Sequence, residues 1–309
     1  MKRIVIDTDA GVDDAQALLL AFGHADSTIE AITTVNGNAD VNKTTANVLK
    51  ILDLVGKDVP VFAGCSHPLV EEYHYAAYVH GEDGLGDCGI PISSRQAEGK
   101  HAVQALVDLA NENNGDLELI AIGPLTNLAV ALMIDPLLPK KYAGLTIMGG
   151  AVKGRGNTNI ASEFNIFCDP EAAHIVFSRW PLVRVLTWET TLAHVFDQHT
   201  LQRFFSIKTP KAQFFHDTNQ LILKFTRNLL KQDILFAPDG LAVAVAIQPD
   251  IVLEKETHYL SVELQGKHTR GVTSVDWWDV SQKPANAEII IKIDQDRFNQ
   301  MMEDGLINP

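Results

Sequence analysis

At 309 residues, 46% hydrophobic and 21% charged, the chain has the composition of a folded globular protein able to bury a substantial core. Its 25 Lys and Arg against 39 Asp and Glu give a net charge of −14, which repels polyanions and argues against nucleic acid as a partner. Apolar runs such as residues 240–247 fall short of the ~20 residues a membrane span needs, which argues against a membrane protein.

Taken in chain order, short β-branched runs alternate with helical spacing. Strands are predicted at 2–7 (KRIVID), 28–35 (TIEAITTV), 117–123 (LELIAIG), 144–149 (GLTIMG) and 182–187 (LVRVLT). Helices are predicted at 13–23, 42–56, 99–113, 125–134 and 169–178. Parallel strands need crossovers, so this alternation predicts an α/β fold: a single doubly wound domain over 1–309, with a mostly parallel central sheet flanked by helices. The second half predicts helices at 197–206, 211–230 and 239–247, then strands at 257–264 and 287–293. Two long connections, 63–98 and 150–168, stand out, because loops of that length in compact domains are usually functional or disordered. Three cysteines (Cys65, Cys88, Cys168) without C-x-x-C spacing, and acids in the first ten residues where a signal peptide would be apolar, predict a reduced, cytoplasmic location.

The densest chemistry is at the first strand end. Asp7, Asp9, Asp13 and Asp14 place four carboxylates in eight residues where a strand gives way to a helix, and the carboxyl edge of a parallel sheet is where such folds bind ligands. Four converging anions need a cation. With no His or Cys nearby the expected ion is hard and oxygen-loving, Ca²⁺ or Mg²⁺. Helix capping accounts for two of the four at most. A second polar cluster, Asn157, Asn159, Glu163 and Asn165, follows the strand at 144–149 and precedes a helix opened by Asp169 and Pro170. Amides and a carboxylate suit a polyhydroxylated ligand, and equally suit Asx turns within the loop. G-P-L-T-N (123–127) and A-P-D-G-L-A-V-A-V-A (237–246) each read as a loop followed by a helix, with Asp239 at the start of the second.

These segments together resemble the nucleoside hydrolases, the calcium-dependent N-ribohydrolases. DTDAGVDDAQAL carries their DxDxGxDD signature, and the likeness continues through ITTVNGN, HGEDGLG, GPLTN, IMGGAV, EFNIFCDPEAAHIVF and PDGLAVA, across essentially the whole chain. The resemblance implies hydrolysis of the N-glycosidic bond of ribonucleosides to free base and ribose. It implies a Ca²⁺ cofactor held by Asp9, Asp14, Asp239 and the main-chain oxygen of Ile122. It assigns the ribose to Asp13, Asn38, Met148, Asn157, Glu163 and Asn165, and proton abstraction from the attacking water to Asp9. It also implies a homodimer or homotetramer acting in purine or pyrimidine salvage on a small-molecule ribonucleoside.

The chain departs from the best-known branch on the leaving-group side. A histidine there immediately precedes the late metal-binding Asp and is placed to protonate the base; here the position is Pro238, which has no proton to give. His80 matches another pocket histidine of the family and is the substitute acid. Phe164 and Trp188 are candidates to stack on the base, and Tyr73, Tyr75 and Tyr78 to close over it. W-E-T (188–190) and S-V-D-W-W (274–278) are similar to a less-studied branch lacking the usual histidine. Gly84, Gly86 and Gly89 spell G-x-G-x-x-G, but no apolar strand precedes them and Pro91 stops a following helix, so they do not read as a dinucleotide site. Two alternatives remain at this point. One is a non-catalytic nucleoside-binding protein that keeps the calcium and ribose sites; the other is a Mg²⁺-dependent phosphohydrolase with Asp7-Thr8-Asp9 as its D-x-D nucleophile motif.

Overall fold

The computed structural model describes residues 1–113 and 115–308. β1 (Lys2–Thr8) leads into α1 (Val12–Gly23), β2 (Ser27–Thr34) into α2 (Val41–Val55), and β3 (Val61–Ala63) into a short α3 (Ala77–His80) and α4 (Ala102–Asn113). The alternation continues with β4 (Leu117–Ala121), α5 (Thr126–Ile134), β5 (Gly144–Met148), α6 (Phe164–Cys168), α7 (Pro170–Arg179) and β6 (Val183–Leu186). A helical excursion follows, comprising α8 (Trp188–Ala193), α9 (Gln198–Ser206), α10 (Pro210–Thr218), α11 (Gln220–Leu230) and α12 (Pro238–Ile247). The chain closes with β7 (Val252–His258), β8 (Leu260–Val262), β9 (Thr273–Val275), β10 (Ala287–Ile293) and α13 (Gln295–Ile307).

Eight strands form one sheet in the order β3-β2-β1-β4-β5-β6-β10-β7. All neighbours are parallel except β7, which runs antiparallel to β10 at the edge. The doubly wound sheet expected from the alternation is thus present. Strand parity divides its two faces. Ile4 and Ile6 of β1 pack into the core shared with α1, α2, α12 and α13, while Val5 points to the other core, under α4, α5 and α7. β1 and β4 are adjacent although β2 and β3 intervene in sequence, so the chain reverses its direction of growth between them. Register places Asp7 beside Ala121, and Ala121 beside Ile147, so the ends of β1, β4 and β5 open at one edge. A crevice at such a reversal is where doubly wound folds hold ligands.

Two expected elements are broken by buried asparagines. Helix 211–230 is two helices: the Asn219 amide donates to the Phe215 carbonyl at 2.7 Å and its oxygen accepts from Gln16 at 2.8 Å, stabilising the bend. Strand 257–264 is also two, because the Asn286 side chain binds both the N–H and the C=O of Leu260 (2.7 and 2.9 Å) and turns the chain out of the main sheet. β8 instead pairs with β9 in a separate two-stranded sheet.

Candidate active site

The opening motif splits by parity. Asp7 is still in the strand and shares the face of Val5, so its Oδ1 meets Asn127 of α5 (2.8 Å) and Thr33 of β2 (2.5 Å). It is fully buried there, and burial pushes its pKa up to about 7. The expectation of four converging carboxylates is therefore corrected: Asp7 braces the sheet, and a phosphatase-type nucleophile at this position has no access to a substrate. Asn127, from G-P-L-T-N, also donates to the Thr34 carbonyl at 2.9 Å and accepts the Cys65 N–H at 2.9 Å.

Past the strand end the other three acids turn inward. Asp14 Oδ2 accepts the Gly11 N–H at 2.8 Å, closing the first turn of α1, and also accepts from the Asn38 amide at 3.0 Å. Its Oδ1 accepts from the Thr8 hydroxyl. Asp9 Oδ2 accepts the Asn38 N–H at 2.7 Å, whereas Asp9 Oδ1 and Asp13 Oδ1 are buried without a partner. Asp239, in the first turn of the fully buried helix α12, arrives from the opposite side and is 2% exposed. Carboxylate oxygens of Asp13, Asp14 and Asp239 lie within 4.8 Å of one another. The sequence-expected pair Asp14 and Asp239 is thus together, with Asp13 rather than Asp9 as the third member of the tightest group.

Such a group resists ionisation on its own. Burial, followed by the negative charge of neighbouring acids, pushes Asp9 and Asp239 well above the ordinary carboxylate range, and burial raises Asp13 and Asp14 to about 6. The amino termini of α1 and α12 each offer only about half a positive charge. Buried, all-oxygen and partly unpartnered, the donor set fits a hard divalent cation. Ile122 borders the cavity at the end of β4, and its carbonyl accepts from the Asn165 amide at 3.0 Å.

The loop after β5 supplies the second half. Glu163 caps α6, its two oxygens accepting N–H bonds from Asn165 (2.9 Å), Gly150 (2.9 Å) and Ile166 (3.2 Å), and burial raises its pKa to about 7 against those bonds. Asn165 donates to the carbonyls of Ile122 and Met148, and Asn157 accepts the Phe164 N–H at 2.9 Å. Asn159 turns back on Ala161 and Ser162 as an Asx turn and does not reach the site.

Most of these groups face one cavity of about 350 Å³; Asp9 and Asp14 lie fully buried behind its lining. Asp13, Asn38, Ile122, Met148, Asn157, Glu163, Phe164, Asn165, Trp188 and Asp239 line it, as does His80, which is brought in by α3 from the long connection between β3 and α4. His80 Nδ1 accepts the Val12 N–H at 3.1 Å, so a neutral ring carries its proton on Nε2, and burial lowers its pKa to about 4. Of the three tyrosines only Tyr78 lines the cavity; Tyr73 and Tyr75 pack on one another. The turn glycines Gly84, Gly86 and Gly89 all take left-handed φ angles between 74° and 78°, serving chain reversal rather than a helix start. Arg155 and the apolar wall of Ile222, Phe225, Leu230 and Phe236 were not anticipated. The i, i+3 spacing of Ile222 and Phe225 on α11 was the one available sign, and it reads equally as core.

Known proteins resemble this chain over essentially its whole length. The family described as inosine-uridine preferring nucleoside hydrolase matches residues 4–300. An inosine-uridine preferring nucleoside hydrolase of Crithidia fasciculata is 33% identical over 308 residues, covering 99% of this chain and 97% of that protein. A pyrimidine-specific ribonucleoside hydrolase, RihA, of Shewanella sp. (strain ANA-3) is 35% identical over 309 residues, covering 99% and 96%. A solved inosine-guanosine nucleoside hydrolase superposes with a TM-score of 0.93 at 34% identity, covering 100% of this chain and 99% of that one.

Proposed function

The chain belongs to the inosine-uridine preferring nucleoside hydrolase family and is a nucleoside N-ribohydrolase, and from this we propose that it splits ribonucleosides into base and ribose with a calcium ion held by Asp9, Asp14, Asp239 and the Ile122 carbonyl. The observation that carries the reading is the meeting of buried, partly unpartnered carboxylates with an amide-rich loop at one sheet edge. When bound, such an ion lowers the pKa of coordinated water and fixes a vicinal diol.

The protein's own groups supply the rest. Asp13, Asn38, Asn157, Glu163 and Asn165 hold the ribose hydroxyls, and Met148 packs beneath the ring. Breaking the C1′–N bond develops positive charge on the sugar, which the surrounding carboxylates stabilise. Asp9, with Oδ2 fixed by Asn38, takes the proton of the attacking water on its free Oδ1. The water oxygen bonds to C1′, and the electron pair of the broken bond leaves with the base between Phe164 and Trp188. His80, its Nδ1 committed to Val12, acts as a neutral Nε2–H donor to the substrate rather than as the imidazolium acid expected from the sequence.

We further place the enzyme in the cytoplasm as a homodimer or homotetramer. The three cysteines are free, which supports a reducing compartment, and no helix among the described residues is long and apolar enough to cross a membrane.

Ribose release from inosine, adenosine, uridine and cytidine, with calcium and with EDTA, tests the assignment. Asp9→Ala should keep the fold and lose about 10²–10⁴ in turnover. Wild-type turnover in that variant would remove Asp9 from the chemistry, and release of no ribose by the native enzyme would leave a nucleoside-binding protein.

A further inference from the structure

The reaction leaves one need unmet. The electron pair of the glycosidic bond must be accommodated on the departing base, yet Pro238 has no proton to give and His80 has one ring nitrogen tied to the backbone. The cavity lining is of two kinds: the acids and amides assigned above to the ribose, and the apolar side chains of Trp188, Ile222, Phe225, Leu230 and Phe236, of which Trp188 and Phe236 pack together with ring centroids 5.3 Å apart. Arg155 is the one lysine or arginine lining that cavity.

We propose that Arg155 is the leaving-group residue, its guanidinium donating hydrogen bonds to bases that carry ring carbonyls and so selecting oxo-bases as substrates. Three observations carry this. Arg155 is exposed at the cavity it lines and, among the described residues, makes no ion pair and no hydrogen bond, so its donors are open to a ligand. The loop is pinned on both sides of it: the Glu189 carboxylate accepts the N–H groups of Val152 (3.1 Å) and Lys153 (2.7 Å), and Asn157 is fixed to the Phe164 N–H (2.9 Å). Trp188, beside Glu189, donates its main-chain N–H to the Gly150 carbonyl at 2.9 Å and is itself one of the residues lining the cavity. The W-E-T sequence thereby acquires a purpose. Glu189 is a positioning residue that holds the arc presenting Arg155, and Trp188 offers the surface the base rests on.

The chemistry balances without an added acid. As the C1′–N bond breaks, its electron pair passes to the ring nitrogen and is delocalised onto the base carbonyl oxygens. An arginine fork can donate two parallel N–H bonds to such an anion. The base then takes its proton from solvent after departure. The assignment rests on the hydrolase reading above, and p-nitrophenyl riboside, whose leaving group is stable as an anion, separates the two.

Arg155→Ala should lower kcat for inosine and uridine by about 10²–10³-fold, the loss typical of removing one charge-stabilising donor, and change p-nitrophenyl riboside by less than about tenfold. Arg155→Lys should fall between. The native preference for inosine over adenosine should narrow in Arg155→Ala. An equal loss on inosine and p-nitrophenyl riboside, or no loss on inosine, would overturn the role of Arg155 while leaving the hydrolase reading intact. A native enzyme that cleaves neither substrate would overturn both.

Discussion

Two glycines make room for Asp9. A Cβ on Gly37 would overlap its carboxylate, and one on Gly123 would stand 2.9 Å from its Oδ1, so ITTVNGN and GPLTN frame the acid by leaving out side chains. At this scale the proposed ribose contacts should also be the most discriminating part of the protein. Asn38, Glu163 and Asn165 are buried, and a site that loses a hydroxyl partner is left with unpaired polar atoms. Inosine should therefore exceed 2′-deoxyinosine in kcat/KM by on the order of 10⁴-fold. Equal rates would show that the diol is not what these residues bind. The acids and amides were readable because four carboxylates in eight residues have few explanations. Sequence proximity groups Asp7 with the other acids, but strand parity decides which face a side chain takes, and the last in-register residue of a strand is hard to locate from sequence. Arg155 was invisible, since an exposed arginine in a glycine-flanked loop looks like any solvated charge.

Among the elements, the crossing of α1 and α13 shows what the sequence could not convey. Gly23 and Gly305 face one another: a Cβ on Gly305 would lie 2.8 Å from the Leu20 Cα, and one on Gly23 would lie 2.9 Å from the Gly305 nitrogen. Glycine inside a helix costs about 0.5–1 kcal/mol relative to alanine, and here the closeness of the two backbones offsets that cost. Gly305→Val should overpack the crossing, lowering stability by roughly 1–3 kcal/mol while leaving kcat unchanged, because the contact lies at the end of α1 remote from Asp13 and Asp14. A thermal melt checks the first half and an assay well below the midpoint the second; an unchanged melt would mean the helices can separate freely. α13 itself went unpredicted because QDRFNQMMEDGLI is largely polar and carries a glycine, so its buried stripe of Phe298, Met301, Met302 and Leu306 is thin. β3 has three residues, too few for periodicity to register. β7 was missed over most of its length because both faces of an edge strand meet solvent, which leaves LEKET no apolar alternation. The interior strands β1, β2, β4, β5 and β6 were legible because burial on both faces demands continuous β-branched runs.

For the whole molecule, the acid cluster sits where β1, β4, α1 and α12 converge, so the ion would tie together parts distant in sequence. A ligand bound only by the native state stabilises it by about 2.7 kcal/mol at a hundred times its dissociation constant. Calcium should accordingly raise the melting temperature by a few degrees and EDTA should lower it, with Asp239→Asn reducing the response. A melting temperature indifferent to both would reject a cation at these acids. The cavity has a further consequence, for divergence. On the proposed reading its ribose half draws on strand ends, the first turns of two core helices, the buried start of α6 and the Asn38 and Asn157 loops, whereas its base half draws on α3, α8, α11 and one loop. Of the apolar residues on that side only Ile222 belongs to the hydrophobic core. Base preference can therefore drift under mutation as a separable trait while bond cleavage is inherited unaltered, and a single scaffold can give rise to a lineage of specialists.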